Sequence, residues 1–106
     1  MAYFGGNFIH AWCNANHDSV SVRDSYNISS ITDNGTGRMK FNFSTNANNT
    51  TYVFSGIAGN QTGTTTVGRI LMNDAAVNVA HFSVRYRSLA TVLDDNLVCV
   101  ICVAEN

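Results

Sequence analysis

Proline does not occur anywhere in the 106 residues. In an extended chain this removes the commonest block to edge-to-edge pairing, so exposed strand edges must be protected by charges, by bulges or by burial against a neighbouring subunit. Charge is also scarce. Asp, Glu, Lys and Arg together make up 12% of the chain and sum to a net charge of -1, against about a quarter in an average globular protein. The six Lys and Arg residues are dispersed, which argues against nucleic acid as a partner, because phosphate binding needs clustered cations. Cysteine is limited to Cys13, Cys99 and Cys102, an odd number without framework spacing, so a disulfide-stapled secreted domain is not expected. The N-terminal "MAYFGGNFIHAWC" has neither the basic start nor the apolar run of about 7–15 residues that a secretory signal needs. No hydrophobic run reaches transmembrane length. The expectation is synthesis in a cytoplasm without membrane insertion, and the Asn-x-Ser/Thr triplets at Asn27, Asn34, Asn49 and Asn60 carry little weight there.

What remains is 45% hydrophobic, enough for one domain over residues 1–106 with a real core, with residues 1–10 as a possible N-terminal arm. Period-two alternation dominates. Met39, Phe41 and Phe43 alternate with Arg38, Lys40, Asn42 and Ser44, and Phe82, Val84 and Tyr86 alternate with His81, Ser83, Arg85 and Arg87. Further strands are expected at Phe8 to Cys13, Val20 to Arg23, Ile28 to Thr32, Thr51 to Ala58 and Val67 to Met72. No segment keeps helical periodicity over three turns. The fold class expected is all-β, an antiparallel β-sandwich or jelly roll of about seven or eight strands, with a barrel as the close alternative. The last strand, Leu97 to Ala104 ("LVCVICVA"), is apolar on both faces, so one face enters the core and the other needs a second layer or another copy of the chain.

Motifs that carry chemistry are weak. Cys99-x-x-Cys102 has zinc-ligand spacing, but residues three apart on a strand point to opposite faces, so buried apolar cysteine is the better reading. His10, His17 and His81 have no ligand spacing, and only His17-Asp18 suggests a local polar pair. An enzyme would need Asp18, His17 or His81 to converge from separate strands. Asp94-Asp95 reads as a turn and not as paired catalytic carboxylates. "TDNGTG", residues 32 to 37, has one carboxylate where calcium needs several oxygens, and it precedes a strand where phosphate would want a helix N-terminus. It reads as a turn in which Gly35 and Gly37 supply positive φ. No catalytic residue, metal or cofactor is expected.

The run "AWCNAN...VSVRDSYNISSITDNGTGRMKFNFST" resembles the domain at the C-terminal ends of many tailed-phage fibre proteins, especially those of aquatic phages. Ala11, Trp12 and Asn14 match that domain's opening, Arg23 and Asn27 to Gly37 match its core, and "FSVRYRS" with "DDNLVCVICVAEN" resembles its closing strands. The likeness runs from Ala11 through most of the chain, and it departs from the pattern at Asn46 to Thr51, where an Asn/Thr-rich segment replaces Ala-Met-Pro-Asp-Ala-Asn. It implies a non-enzymatic virion protein. Because family fibres carry this module after a long shaft, a chain that is the module alone is expected to be a homotrimeric capsid cement or decoration protein bound between major capsid subunits. The expected subunit contact is Val98, Val100 and Cys102, or the opposite row Leu97, Cys99, Ile101 and Val103. The alternative is a tail-fibre tip among tail proteins, binding a host-surface receptor or glycan through the loop Asn46 to Tyr52, with Asn48, Asn49, Thr50 and Tyr52 as candidate contacts, or through the loop Asn60 to Thr66.

Overall fold

The computed structural model describes residues 3–4, 7–59, 69–86 and 97–105. Among the described residues ten strands follow one another without a helix: β1 (Tyr3–Phe4), β2 (Asn7–Asn16), β3 (Ser21–Tyr26), β4 (Ile28–Gly35), β5 (Arg38–Phe43), β6 (Val53–Gly59), β7 (Arg69–Ile70), β8 (Met72–Asn73), β9 (His81–Arg85) and β10 (Leu97–Glu105). The chain is all-β and forms two antiparallel sheets. The first runs β3-β2-β10-β6 with two-residue additions, β7 beside β6 and β1 beside the start of β2; the second runs β4-β5-β9-β8. The described part of residues 1–10 lies in the first sheet, where β1 pairs with Asn7 and Phe8.

Both sheets contribute to one apolar core. Met39, Phe41 and Phe43 on β5, Phe82 and Val84 on β9, Ala11, Cys13 and Ala15 on β2, and Val98, Val100, Cys102 and Ala104 on β10 are all buried. These are the alternate positions that period-two patterning selects. Phe82 is the aromatic centre. Its ring stacks on Phe41 at 5.3 Å and on Phe54 at 4.5 Å, and it meets Phe43 and Tyr52 at an angle. Each such pair adds about 0.5–1.5 kcal/mol beyond the area it buries. Gly56, opposite Val100, has no side chain because a Cβ there would collide with the Cys99 carbonyl oxygen.

Edges are blunted by bulges and by shortness. β3 carries an extra residue at Arg23, and β4 carries extra residues at Ser29 and Asn34. β7 and β8 have two residues each. The strand expected from Val67 to Met72 lies outside the described residues at its start and breaks at Leu71, where the chain leaves β6 for β9. Asp74 holds the new register, its N–H donating to the Ser83 carbonyl while its carboxylate accepts from Arg38 Nε at 2.9 Å. Of the expected turn "TDNGTG", only Thr36 and Gly37 form the turn itself, and Thr32, Asp33 and Gly35 pair with β5. β4 continues through Gly35, and Gly35 and Gly37 have φ of 128° and 70°.

A second change of sheet takes a single residue. Asn27, with φ of 56°, is all that separates β3 in the first sheet from β4 in the second. Asn tolerates this left-handed conformation better than other non-glycine residues. Its side chain then ties down two passing segments. Nδ2 donates to the His10 carbonyl at 3.0 Å and the Thr45 carbonyl at 3.2 Å and lies 3.2 Å from His10 Nε2, while Oδ1 accepts the Thr45 N–H at 2.8 Å. Asn27→Ala should lower stability by about 2–3 kcal/mol, because it strands partly buried backbone groups and puts a Cβ without a local acceptor at positive φ. Asn27→Gly should cost less, since only the ties are lost. Urea unfolding of the three proteins checks the order, and equal midpoints for wild type and Asn27→Ala would refute it.

Candidate functional site

Three places concentrate chemistry. The first is a polar chain between the sheets. His17, just past the end of β2, is fully buried, with Nδ1 2.6 Å from the Tyr86 hydroxyl and Nε2 3.1 Å from Asp33 Oδ1. A carboxylate only accepts, so Nε2–H donates to Asp33 and Nδ1 can take the Tyr86 proton; one neutral tautomer serves both bonds. The Gly35 N–H, and after it His17, hold the Asp33 carboxyl below its usual range. The sequence pair His17-Asp18 is not the one that forms, because Asp18 is exposed in the turn. An Asp-His-Tyr line has the order of groups that activates a nucleophile, yet Tyr86 is 1% exposed and offers no surface to a substrate. Its place is structural. His81 lies half-buried on β9, opposite Asn42, and its Nδ1 is buried without a hydrogen-bond partner among the described residues.

The cysteines behave as apolar residues. All three are free; Cys13 and Cys102 are buried, and Cys99 lies on the other face of β10. Burial pushes the Cys13 thiol up to about 11 and the Cys102 thiol up to about 12, so both stay protonated and poorly nucleophilic at neutral pH. Among the described residues no three His, Cys, Asp or Glu side chains gather into a metal-ligand set. Asp94 and Asp95 lie outside the described residues. No helix among the described residues is long and apolar enough to cross a membrane.

The second place is the outward face of the β3-β2-β10-β6 sheet. Here the expected subunit contact is corrected. Val98, Val100 and Cys102 are 0%, 5% and 0% exposed within the chain's own core and cannot reach a neighbour. The opposite row, Leu97, Cys99, Ile101 and Val103, faces away from the core. Register extends that row across the sheet. Trp12, Ile101 and Ser55 lie side by side, as do Cys99 with Ile57 and Ile9 with Val103 and Val53. Val53, Ile57, Ile101 and Trp12 are 67%, 57%, 43% and 36% exposed, and none of these outward positions on β2, β10 and β6 is charged.

The third place is a cleft of about 290 Å³ between the start of β2, the Asn27 corner and the loop after β5, lined by Phe8, His10, Tyr26, Asn27, Thr45, Asn46 and Asn48. Its histidine is placed by a β-bulge. Cys102 pairs with Ala11 and Val103 with Ile9, so His10 is the extra residue and turns inward next to the buried Ala11, where its ring meets Phe8 and Phe43 edge-on. Of the expected receptor residues, Asn48 lines this cleft, while Asn49 and Thr50 are exposed beside it. Tyr52 is a correction. It is 7% exposed and donates its hydroxyl proton to the carbonyls of Asn78 and His81, so it belongs to the core. The loop Asn60 to Thr66 lies outside the described residues. Alternation in the sequence could not reveal the His10 cleft, because a bulge breaks the period that alternation reads.

No protein-family model, no curated protein and no solved structure matches this chain.

Burial of the His10 ring disfavours its charged form and lowers its pKa below 6.5, with a hydrogen bond to the Thr45 backbone opposing part of that shift. The unfolded chain then takes up a proton before the folded one does. The stability tied to His10 is intact above about pH 6.5 and is lost as pH falls toward the folded-state value. The urea midpoint should drop between about pH 7.5 and pH 5, and His10→Phe should flatten that drop; a variant with the same slope as wild type would assign the effect to other groups.

Proposed function

We propose that this protein is a non-enzymatic structural component of a tailed-phage virion, a β-sandwich that works by adhesion as a homotrimer bound to major capsid subunits. The observation that carries the reading is the outward face of the β3-β2-β10-β6 sheet, where exposed apolar side chains of Trp12, Ile101, Ile57 and Val53 sit close in register, bordered on the β3 side by Arg23 and Asp24. Such a face is costly to leave in water and suits a permanent contact. Two antiparallel sheets sharing one core support the sandwich, and the resemblance of Ala11 to Gly37 to phage fibre ends supports the virion. In this reading three copies meet through Ile101, Ile57 and Trp12 around a threefold axis. Their remaining surfaces hold the shell through many modest contacts multiplied by three.

A second reading is favoured by one observation, the mixed aromatic and amide cleft beside the exposed loop 44–51. There the chain is the tip of a tail fibre and the cleft meets the host surface. Immunogold labelling of intact virions separates the two: label over the head supports capsid decoration, and label at the distal tail supports the tip.

Sedimentation at tens of micromolar should give a trimer. Ile101→Glu should weaken association by about a hundredfold, equivalent to about 2.8 kcal/mol, while leaving the far-ultraviolet circular dichroism of the subunit unchanged. A monomeric wild type would refute the trimer, and an Ile101→Glu trimer as tight as wild type would refute this face.

A further inference from the structure

The cleft at the Asn27 corner has features of a built site. Most asparagines of the described chain have their side chains committed: Asn14 accepts from Arg23, Asn16 from the Ser19 N–H, Asn49 from Thr51 and Asn78 from the Ala80 N–H, while Asn42 donates to Ser30 and Thr32. Asn34, Asn46, Asn48 and Asn73 are exposed and uncommitted, and of these four Asn46 and Asn48 are the two that meet at one cleft. Both line the cleft, both are exposed, and neither side chain hydrogen-bonds to another described residue; the same holds for the Tyr26 hydroxyl. The loop that carries them is nevertheless held in place. Thr45 is bonded through both its N–H and its carbonyl to Asn27, and Ala47, between the two free amides, is buried with its N–H on the Val79 carbonyl at 2.8 Å. Free donors and acceptors on a fixed backbone are what a recognition site needs, because little ordering remains to be done on binding.

The lining selects the ligand class. It contains no Lys, Arg, Asp or Glu, and burial disfavours the charged form of its one histidine, His10. Phosphates, carboxylates and cations find no counter-charge. Phe8 and Tyr26 offer aromatic surface, and each free amide presents a carbonyl acceptor and two N–H donors. A pyranose ring has the matching pattern, with an apolar C–H face and hydroxyls that both donate and accept. The volume lies at the lower end of the range of about 300–1,000 Å³ usual for small-molecule sites, which suits one sugar residue.

We propose that the cleft between Phe8, Tyr26, Asn46 and Asn48 binds an uncharged pyranose, the terminal residue of a neutral surface glycan. The inference rests on the tail-tip reading for its biological setting, but the binding is a property of the isolated chain. Asn46 and Asn48 hold adjacent hydroxyls, the aromatic wall covers the apolar face, and Asn27 keeps the loop in register.

The test is a nuclear magnetic resonance titration of the ¹⁵N-labelled full chain with methyl glycosides of glucose, mannose, galactose and N-acetylglucosamine. At least one should give saturable shifts centred on Tyr26, Asn27 and Thr45 to Asn48, with Kd in the millimolar range expected for a single sugar in an open cleft. Asn48→Ala and Tyr26→Ala should each weaken binding by about tenfold or more, whereas Asn34→Ala, an exposed asparagine at the far turn, should leave it unchanged. Absence of saturable shifts with all four glycosides, or an Asn48→Ala protein that binds as wild type, overturns the proposal. Tighter binding of methyl glucuronide than of the neutral sugars also overturns it. The tail-tip reading fails by a different result, gold label over the head, which leaves the titration unaffected.

Discussion

The side-chain amide of Asn27 is the joint on which the two sheets turn. One residue carries the chain from the edge of the first sheet into the edge of the second, which requires a left-handed backbone and leaves nearby main-chain groups without ladder partners. The amide supplies both a donor and an acceptor within reach of those groups. It fastens the β2 backbone at His10 and the chain leaving β5 at Thr45. Glycine could take the conformation but not the bonds, and no other side chain of this length both donates and accepts in one plane.

His17 provides a second tie beyond the other end of β2, joined to Asp33 near the end of β4 and to Tyr86 after β9. The strands β2 and β4, in different sheets, are thus linked near both of their ends by polar side chains. Between these ties lies the cluster around Phe82, whose contacts set the attraction between sheets but tolerate small slips. Hydrogen bonds do not tolerate them. A shift of one residue would leave buried His17 and the Asn27 amide unpaired, so the ties add specificity of register to the stability of the core.

The scarcity of charge takes on meaning once faces are assigned. The outward side of β2, β10 and β6 is apolar and neutral around Ile101, and the cleft at the Asn27 corner is polar and neutral, so neither offers long-range electrostatic attraction. Recognition at both must come from fitted short-range contacts. That is consistent with a protein whose proposed work is to stay attached, through copies of itself on one face and through a surface ligand at the other site.

Period-two patterning determined from the sequence alone that the chain is all-β, which apolar positions on β5 and β9 are buried, though not that Ser83 between Phe82 and Val84 is buried as well, and that Gly35 and Gly37 close the hairpin between β4 and β5, because those features depend on local side-chain alternation and local φ. The same patterning showed that both faces of β10 are apolar but could not say which faces inward. That was decided by β2 and β6 on either side, which bring Val98, Val100 and Cys102 into the core and turn Ile101 outward. Tyr52 passed for a receptor residue until its hydroxyl found the carbonyls of Asn78, in the β8–β9 connection, and His81, at the start of β9, more than twenty residues away in sequence. His10 was hidden by a bulge, His17 by partners on β4 and beyond β9, and the cleft by the meeting of three segments at Asn27. Alternation is a property of neighbours along the chain, whereas bulges, cross-sheet hydrogen bonds and clefts are properties of neighbours in space, and only the tertiary structure brings those together.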